Sequence, residues 1–200
     1  GSIKDKSLFN SDWIFFENKG DFKFEDVAEK TQTKDFEFSW GAVFADMNND
    51  GLQDLVVAEN YVAFPPHKLF KLPCRFLIQK DDNTFVATES ESGVVNENYA
   101  ITPLMSDFNQ DGYLDMIWTN IGSPTLAYLN NGGTNNYIDV KLEDNVHSLG
   151  AKVTVSTESG KTVTEDFIVG EGLSSDQSAT LHFGLGKEQA KSVTVTYINK

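Results

Sequence analysis

The sequence predicts an all-β protein, in which a partial β-propeller is followed by a small β-sandwich-like domain. Three observations support this prediction. A nine-residue polar loop occurs twice, 61 residues apart, and each copy leads directly into an apolar strand. The last third of the chain contains short segments in which apolar and polar residues alternate, as they do in half-buried strands. No stretch shows a convincing helical period beyond a short turn near residues 187–190.

The repeated loop has the pattern D-x-N-x-D-G-x-x-D, which matches the needs of a calcium ion. Calcium takes about six to eight oxygen ligands, and a chain supplies them by curling around the ion. Side chains at positions 1, 3, 5 and 9 and the carbonyl at position 7 supply oxygen, and glycine at position 6 permits the sharp bend. The pattern therefore predicts two Ca²⁺ sites. The predicted ligands are Asp46, Asn48, Asp50, Leu52 (carbonyl) and Asp54 in the first loop, and Asp107, Asn109, Asp111, Tyr113 (carbonyl) and Asp115 in the second.

Other interpretations of the loops fit less well. An EF-hand needs glutamate at position 12, where this chain has Val57 and Trp118, and β-forming residues follow the loops instead of a helix. Magnesium demands a tighter octahedron and retains several waters. Metal-free turns use the same Asp, Asn and Gly residues, but two copies in matching context favour calcium.

The 61-residue period extends beyond the loops and predicts propeller blades. Phe24 and Phe85 occupy equivalent positions after polar turns, and apolar strands at 13–16 and 76–78 precede those turns. A third, weaker copy begins at residues 126–129. Each unit therefore contains about four short strands, as a propeller blade does. A proline-rich segment at 61–73 interrupts the first repeat and is interpreted as an inserted loop.

The pattern changes near residue 136. From there, alternating strands are predicted at 137–142, 152–155, 162–168 and 193–197, separated by glycines and without any further calcium loop. The sequence thus predicts repeat blades over residues 1–134 and a separate β domain over residues 135–200.

Composition narrows the range of functions. The formal net charge is −14, and no basic stripe is visible, which excludes nucleic acid as a partner. No apolar run is long enough for a membrane span. Cys74 is the only cysteine, so no internal disulfide can form, and we interpret it as a small buried hydrophobe.

The motifs resemble two known families. The two loops, with residues 16–27 and 40–46, resemble FG-GAP/VCBS repeats. Residues 149–153, 170–172 and 181–186 resemble the ASPIC/UnbV domain, which follows such repeats in cartilage-acidic-protein-like proteins and many bacterial exported proteins. The resemblance implies calcium-bearing propeller blades capped by a β-sandwich, with calcium on the eight side chains named above. It also implies an exported protein, extracellular or at the cell surface, from a bacterium.

Two full repeats are fewer than the four blades that a closed propeller needs. We therefore expect the chain to be a piece of a longer protein. Exposed blade edges favour association with another strand or sheet, so it should pack against the missing part of its parent or against another chain.

These observations predict a non-enzymatic, calcium-stabilised module that binds a protein or a glycan at the cell surface. One alternative is a lectin-like carbohydrate-binding module, which would use Trp13, Trp40, Trp118 and Tyr61 to stack on sugars. Another is an accessory domain of a polysaccharide-active enzyme. Catalysis by this chain itself is not expected. Its histidines are only His67, His147 and His182, and no carboxylate pair stands apart from the loops.

Overall fold

The computed structural model of the protein describes residues 12–36, 38–59, 61–63, 68–70, 73–143 and 145–198. Within these ranges the chain forms sixteen strands and one short helix. The elements are β1 (Phe16–Asn18), β2 (Phe24–Asp26), β3 (Ser39–Ala45), β4 (Asp54–Glu59), β5 (Tyr61–Ala63), β6 (Lys68–Phe70), β7 (Arg75–Gln79), β8 (Phe85–Ala87), α1 (Glu89–Ser92), β9 (Ala100–Ser106), β10 (Asp115–Asn120), β11 (Leu126–Tyr128), β12 (Asn136–Lys141), β13 (Lys152–Thr157), β14 (Thr162–Asp166), β15 (Thr180–Gly186) and β16 (Ala190–Thr196). The predicted all-β class is confirmed.

The first blade is a four-stranded antiparallel sheet in the order β3-β4-β7-β8. The first polar loop connects β3 to β4, and its last residue, Asp54, is also the first residue of β4. Every residue of β4 is buried, because both faces of this strand are covered. A small hairpin, β5–β6, lies between β4 and β7 within the predicted insertion. Residues 64–67 of that insertion, which include His67, and residues 71–72 lie outside the described ranges.

The second blade is a three-stranded antiparallel sheet in the order β11-β10-β9. The second polar loop connects β9 to β10 in the same way, and Asp115 begins β10. The weak third repeat copy at 126–129 contains β11, as predicted. Among the described residues there are two blade-like sheets and no closed ring of blades.

The N-terminal hairpin β1–β2 corresponds to β7–β8 in the repeat. The prediction that a strand covers residues 13–16 is wrong, because β1 begins at Phe16. Trp13 and Phe15 instead pack against an apolar cluster on the first blade, which contains Leu77 and Phe85. The packing of these two aromatic rings therefore determines the path of the chain here, and regular strand pairing begins only at Phe16.

The main core lies between the two blades. Trp118 at its centre is fully buried, and it packs with side chains that alternate along β3, β4, β9 and β10. The core residues are Val43, Ala45, Met47, Val56, Ala58, Cys74, Phe76, Ala100, Met105, Leu114, Met116 and Trp118. The two blades therefore share one apolar interior.

The C-terminal part is a β-sandwich. One sheet pairs β12 with β15, and the other has the order β14-β13-β16. Val153, Val155, Phe183 and Leu185 form the core between the two sheets. The predicted division at 134/135 lies in the connection between β11 and β12, and we keep it as a proposal. Helix α1 was not predicted, because four residues are too few to show a helical period.

Candidate metal centre

The two polar loops fold alike, starting with the first aspartate. In each loop, the carboxylate of this residue, Asp46 or Asp107, accepts hydrogen bonds from the backbone N–H groups of the fifth and sixth loop residues. The distances are 3.0 and 2.7 Å in the first loop, and 3.1 and 2.8 Å in the second. The backbone thus wraps around the carboxylate oxygens, which is the curvature that an ion-binding loop requires.

The ninth residue, Asp54 or Asp115, closes each loop. One of its oxygens accepts from the N–H of the second loop residue, at 3.0 Å in the first loop and 2.9 Å in the second. The other oxygen accepts from the backbone of a neighbouring segment of the blade, from Gln79 at 2.9 Å or from Asn130 at 2.7 Å. Each closing carboxylate therefore joins its loop to the next part of the blade.

The asparagine at position 3, Asn48 or Asn109, completes the network. Its side-chain oxygen accepts from the N–H of the fifth residue at 3.0 Å in both loops. Its amide nitrogen donates to the carboxylate of Asp50 at 3.0 Å or of Asp111 at 2.8 Å. The same bonds occur in metal-free Asx turns.

The electrostatic environment of the first loop fits a cation. Burial raises the pKa of Asp46 to about 6 and that of Asp54 to about 7. Nearby Asp50 adds a repulsive negative charge to both groups. In the second loop, Asp115 is buried and Asp111 is exposed. A bound cation would relieve the cost of burying these carboxylates.

The donors also fit a hard cation. All predicted side-chain ligands carry oxygen, which calcium prefers. Among the described residues, no three Asp, Glu, His or Cys side chains converge as a metal-binding cluster, so the three aspartates of each predicted shell do not meet around one point. The structure brings the eight predicted side chains into two compact loops. The roles of the Leu52 and Tyr113 carbonyls as ligands stay predictions.

Two asparagines that the sequence interpretation missed connect the two loops. Asn130 donates from its side-chain amide to the carbonyls of Met47 and Leu114, at 2.8 and 3.1 Å. Asn135 donates to the carbonyl of Asn48 at 2.9 Å. Four of the seven residues at 130–136 are asparagines, and this density of amide side chains is the signal that could have indicated the role.

The buried acids predict how the stability of the calcium-free protein depends on pH. The pKa values of Asp46, Asp54 and Glu165, raised by burial to about 6, 7 and 7, exceed those of the unfolded chain. Between about pH 4 and pH 7 the folded state then holds more protons, so the free energy of unfolding should fall as pH rises through this window. Urea denaturation in calcium-free buffer at several pH values measures this free energy of unfolding. A stability that rises from pH 5 to pH 7 would contradict this assignment.

The described residues among the remaining candidates lie in different environments. His182 is buried, His147 is exposed, and Trp118 is fully buried in the core, so it cannot stack on a sugar. Burial raises the pKa of Cys74 to about 12, which makes its thiol unreactive. No helix among the residues with described structure is long and apolar enough to cross a membrane.

Comparison with known families agrees with this architecture. Residues 7–57 match the family described as FG-GAP-like repeat, and residues 141–200 match the family described as ASPIC and UnbV. The chain is thus an all-β protein that is similar to FG-GAP-like repeats over residues 7–57 and to ASPIC and UnbV domains over residues 141–200. The resemblance noted from the motifs is confirmed.

Among curated proteins, the chain is similar to cartilage acidic protein 1 from three vertebrates. It is 27% identical to the human and mouse proteins over 166 residues, which is 78% of this chain. It is 26% identical to the Xenopus tropicalis protein over 245 residues, which covers 92% of this chain. The matches span 24%, 25% and 37% of the human, mouse and frog proteins. The chain therefore corresponds to a minor part of these relatives.

Proposed function

We propose that this chain is a calcium-stabilised, non-enzymatic interaction module of an exported protein, which binds a protein or a glycan at a cell surface. The observation that carries the proposal is the duplicated loop, whose carboxylates accept equivalent hydrogen bonds in both copies. The names of the matching families and relatives refer to no enzymatic activity. The expectation of a bacterial source stays a prediction, since these relatives are vertebrate proteins.

Calcium would supply electrostatic stabilisation that the chain itself lacks at the loops. Asp46, Asn48, Asp50 and Asp54 would hold the first ion, and the equivalent side chains of the second loop would hold the second. The ions would fix the turns that connect β3 to β4 and β9 to β10. In this role calcium keeps the loops and the adjoining surface rigid for a partner, and loops on rigid frameworks often carry binding function.

Calcium titration by calorimetry tests the metal sites directly. We expect two ions to bind to the chain, one to bind to the Asp46→Asn variant, and one to bind to Asp107→Asn. The double variant should bind none, because each substitution removes a ligand charge without changing side-chain size. Asp81→Asn, in an exposed turn outside the loops, is the matched control and should still bind two. Binding of two ions by the double variant would contradict the proposed ligands.

Glycan binding is the second candidate, and one cleft favours it. A cavity of about 330 Å³ lies between the second loop and the β12–β15 sheet. Hydroxyl, amide and carboxylate groups line it, together with the partly exposed ring of Tyr137. Such a combination of polar groups with an aromatic face can recognise sugar hydroxyls and sugar faces. Its polar lining residues are Ser106, Asp107, Gln110, Tyr137, Asp139, Ser178, Thr180 and His182.

A glycan array measured in calcium and in EGTA distinguishes the two candidates. Calcium-dependent binding that is lost in Tyr137→Ala but kept in Tyr197→Ala would assign the cleft to glycans. Absence of any glycan signal, combined with calcium-dependent binding to a protein partner in a cell-surface binding screen, would assign the module to protein recognition.

A further inference from the structure

Three polar side chains connect the first loop to the C-terminal sheet. Asn49, at the fourth loop position, donates from its amide nitrogen to the carbonyl of Gly112 in the second loop at 2.8 Å. A carbonyl can only accept, so the Asn49 oxygen must face the other way. It lies 2.7 Å from Nε2 of His182 on β15, which therefore donates to it. Nδ1 of His182 lies 2.7 Å from the carboxylate of Asp139 on β12. We call Asn49, His182 and Asp139 the relay.

Most of the relay is shielded from water. Asn49 is fully buried, His182 is 7% exposed, and the ring of Tyr137 stacks on the imidazole at 5.4 Å between centroids. Buried polar groups are costly when their hydrogen bonds are broken. The relay therefore favours one fixed arrangement of the loop beneath the sheet over a range of arrangements.

Strand β15 also touches the first loop directly. The N–H of Gly186 donates to the carbonyl of Asn49 at 2.7 Å. At Gly184 the strand approaches so closely that a β-carbon would lie 1.9 Å from a carboxylate oxygen of Asp46 and 2.5 Å from the Asn49 backbone. The C-terminal sheet is thus in contact with a predicted calcium ligand, and only glycine permits this approach.

The two loops are covered unequally. Asp46 and Asn49 of the first loop are buried beneath β15, whereas Asp111 and Gln110 of the second loop are exposed. The relay reaches the second loop only through the Gly112 carbonyl. A change in the relay should therefore affect the first loop more than the second.

We propose that Asn49, His182 and Asp139 are positioning residues of the first calcium loop, and that calcium in this loop and docking of the C-terminal sheet strengthen each other. This inference rests on the proposed calcium function. Two equilibria coupled through one element affect each other by the same factor. Breaking the relay should therefore weaken calcium binding at the first loop about tenfold, within the usual range of about 5- to 150-fold.

Asn49→Gly is the primary test, and Gln110→Gly is its matched control. Both residues occupy loop position 4 and have left-handed backbones, with φ of 58° and 61°. Glycine adopts this conformation readily, so each variant deletes a side chain without backbone strain. Only Asn49→Gly breaks the relay. Calcium titration in an Asp107→Asn background isolates the first loop. We expect Asn49→Gly to lower its affinity about tenfold and Gln110→Gly to leave it within about twofold.

Hydrogen exchange of β15 supplies a readout that general destabilisation would not reproduce. In the unaltered chain, calcium should slow the exchange of β15 amides. In Asn49→Gly this calcium-dependent slowing should be lost, whereas a purely structural role would change exchange equally with and without calcium. His182→Ala, which breaks the same bond from the opposite side, serves as the second variant if Asn49→Gly does not fold.

The outcomes separate the two proposals. If the unaltered chain binds no calcium at the first loop, the proposed function itself fails. If the chain binds two ions, and Asn49→Gly and His182→Ala keep the affinity of the first loop within about twofold, the calcium function stands and the positioning role is overturned. Loss of affinity together with loss of calcium-dependent protection in β15 supports the inference.

Discussion

Removal of calcium should lower the melting temperature of this protein by about 6–12 °C. Extracellular calcium modules bind with dissociation constants down to about 0.1 mM. At about 1 mM calcium, each site then adds roughly 1.4 kcal/mol to the free energy of unfolding, and two sites add about 3 kcal/mol. Each kcal/mol corresponds to about 2–4 °C for a chain of this size. Thermal melts in 1 mM calcium and in EGTA measure the difference.

Three controls connect this shift to the loops. Magnesium at the same concentration should restore little of the stability, because it retains several waters and fits the loops poorly. The combined Asp46→Asn and Asp107→Asn variant should melt at the same temperature with and without calcium. Calcium added back to EGTA-treated protein should restore the original melting temperature. An identical melt in calcium and EGTA would show that calcium does not stabilise the fold.

Replacement of Arg75 by methionine should destabilise the first blade by about 3–5 kcal/mol, which is the usual cost of breaking a buried ion pair. The Arg75 guanidinium forms a salt bridge with Glu59, which is fully buried. It forms a second salt bridge with Glu89 at 3.0 Å. It also lies 5.0 Å from the centre of the Phe36 ring. Methionine keeps much of the side-chain volume but leaves two carboxylates in the interior without the guanidinium. Urea denaturation measures the change in free energy.

The comparison variant is Lys19→Met. Lys19 forms salt bridges with Glu17 and Glu25, but all three side chains are exposed, where water and salt screen the interaction. The melting temperature of Lys19→Met should match that of the unaltered chain. If Arg75→Met also melts at the unaltered temperature, the cluster of Arg75, Glu59 and Glu89 does not stabilise the blade.

Much of the fold follows from local pattern. The repeated loop predicted both connections, β3 to β4 and β9 to β10, because its polar residues are contiguous in sequence. Alternation of apolar and polar residues predicted β12 and β13, because this pattern too lies within a few consecutive residues. The start of β1 was predicted wrongly. Trp13 and Phe15 have the apolar character of strand residues, but they pack against a cluster that is distant in sequence. Local sequence does not reveal such long-range contacts.

The candidate site was only partly predictable. The spacing of oxygen side chains predicts a ligand set in each loop. The contacts of Gly184 with Asp46, and of His182 with Asn49, join residues more than 130 positions apart. His182 is buried, and its two hydrogen-bond partners, Asp139 and Asn49, come from separate parts of the chain. Nothing in the sequence near His182 indicates which loop it meets.

A crystal structure of the chain grown in calcium, with anomalous diffraction data, tests the central claim most directly. We predict an anomalous peak in each loop, surrounded by oxygens of the first, third, fifth and ninth side chains at about 2.3–2.6 Å. Loops without such peaks in saturating calcium, with their aspartates bonded only to backbone N–H groups, would show that they are plain turns.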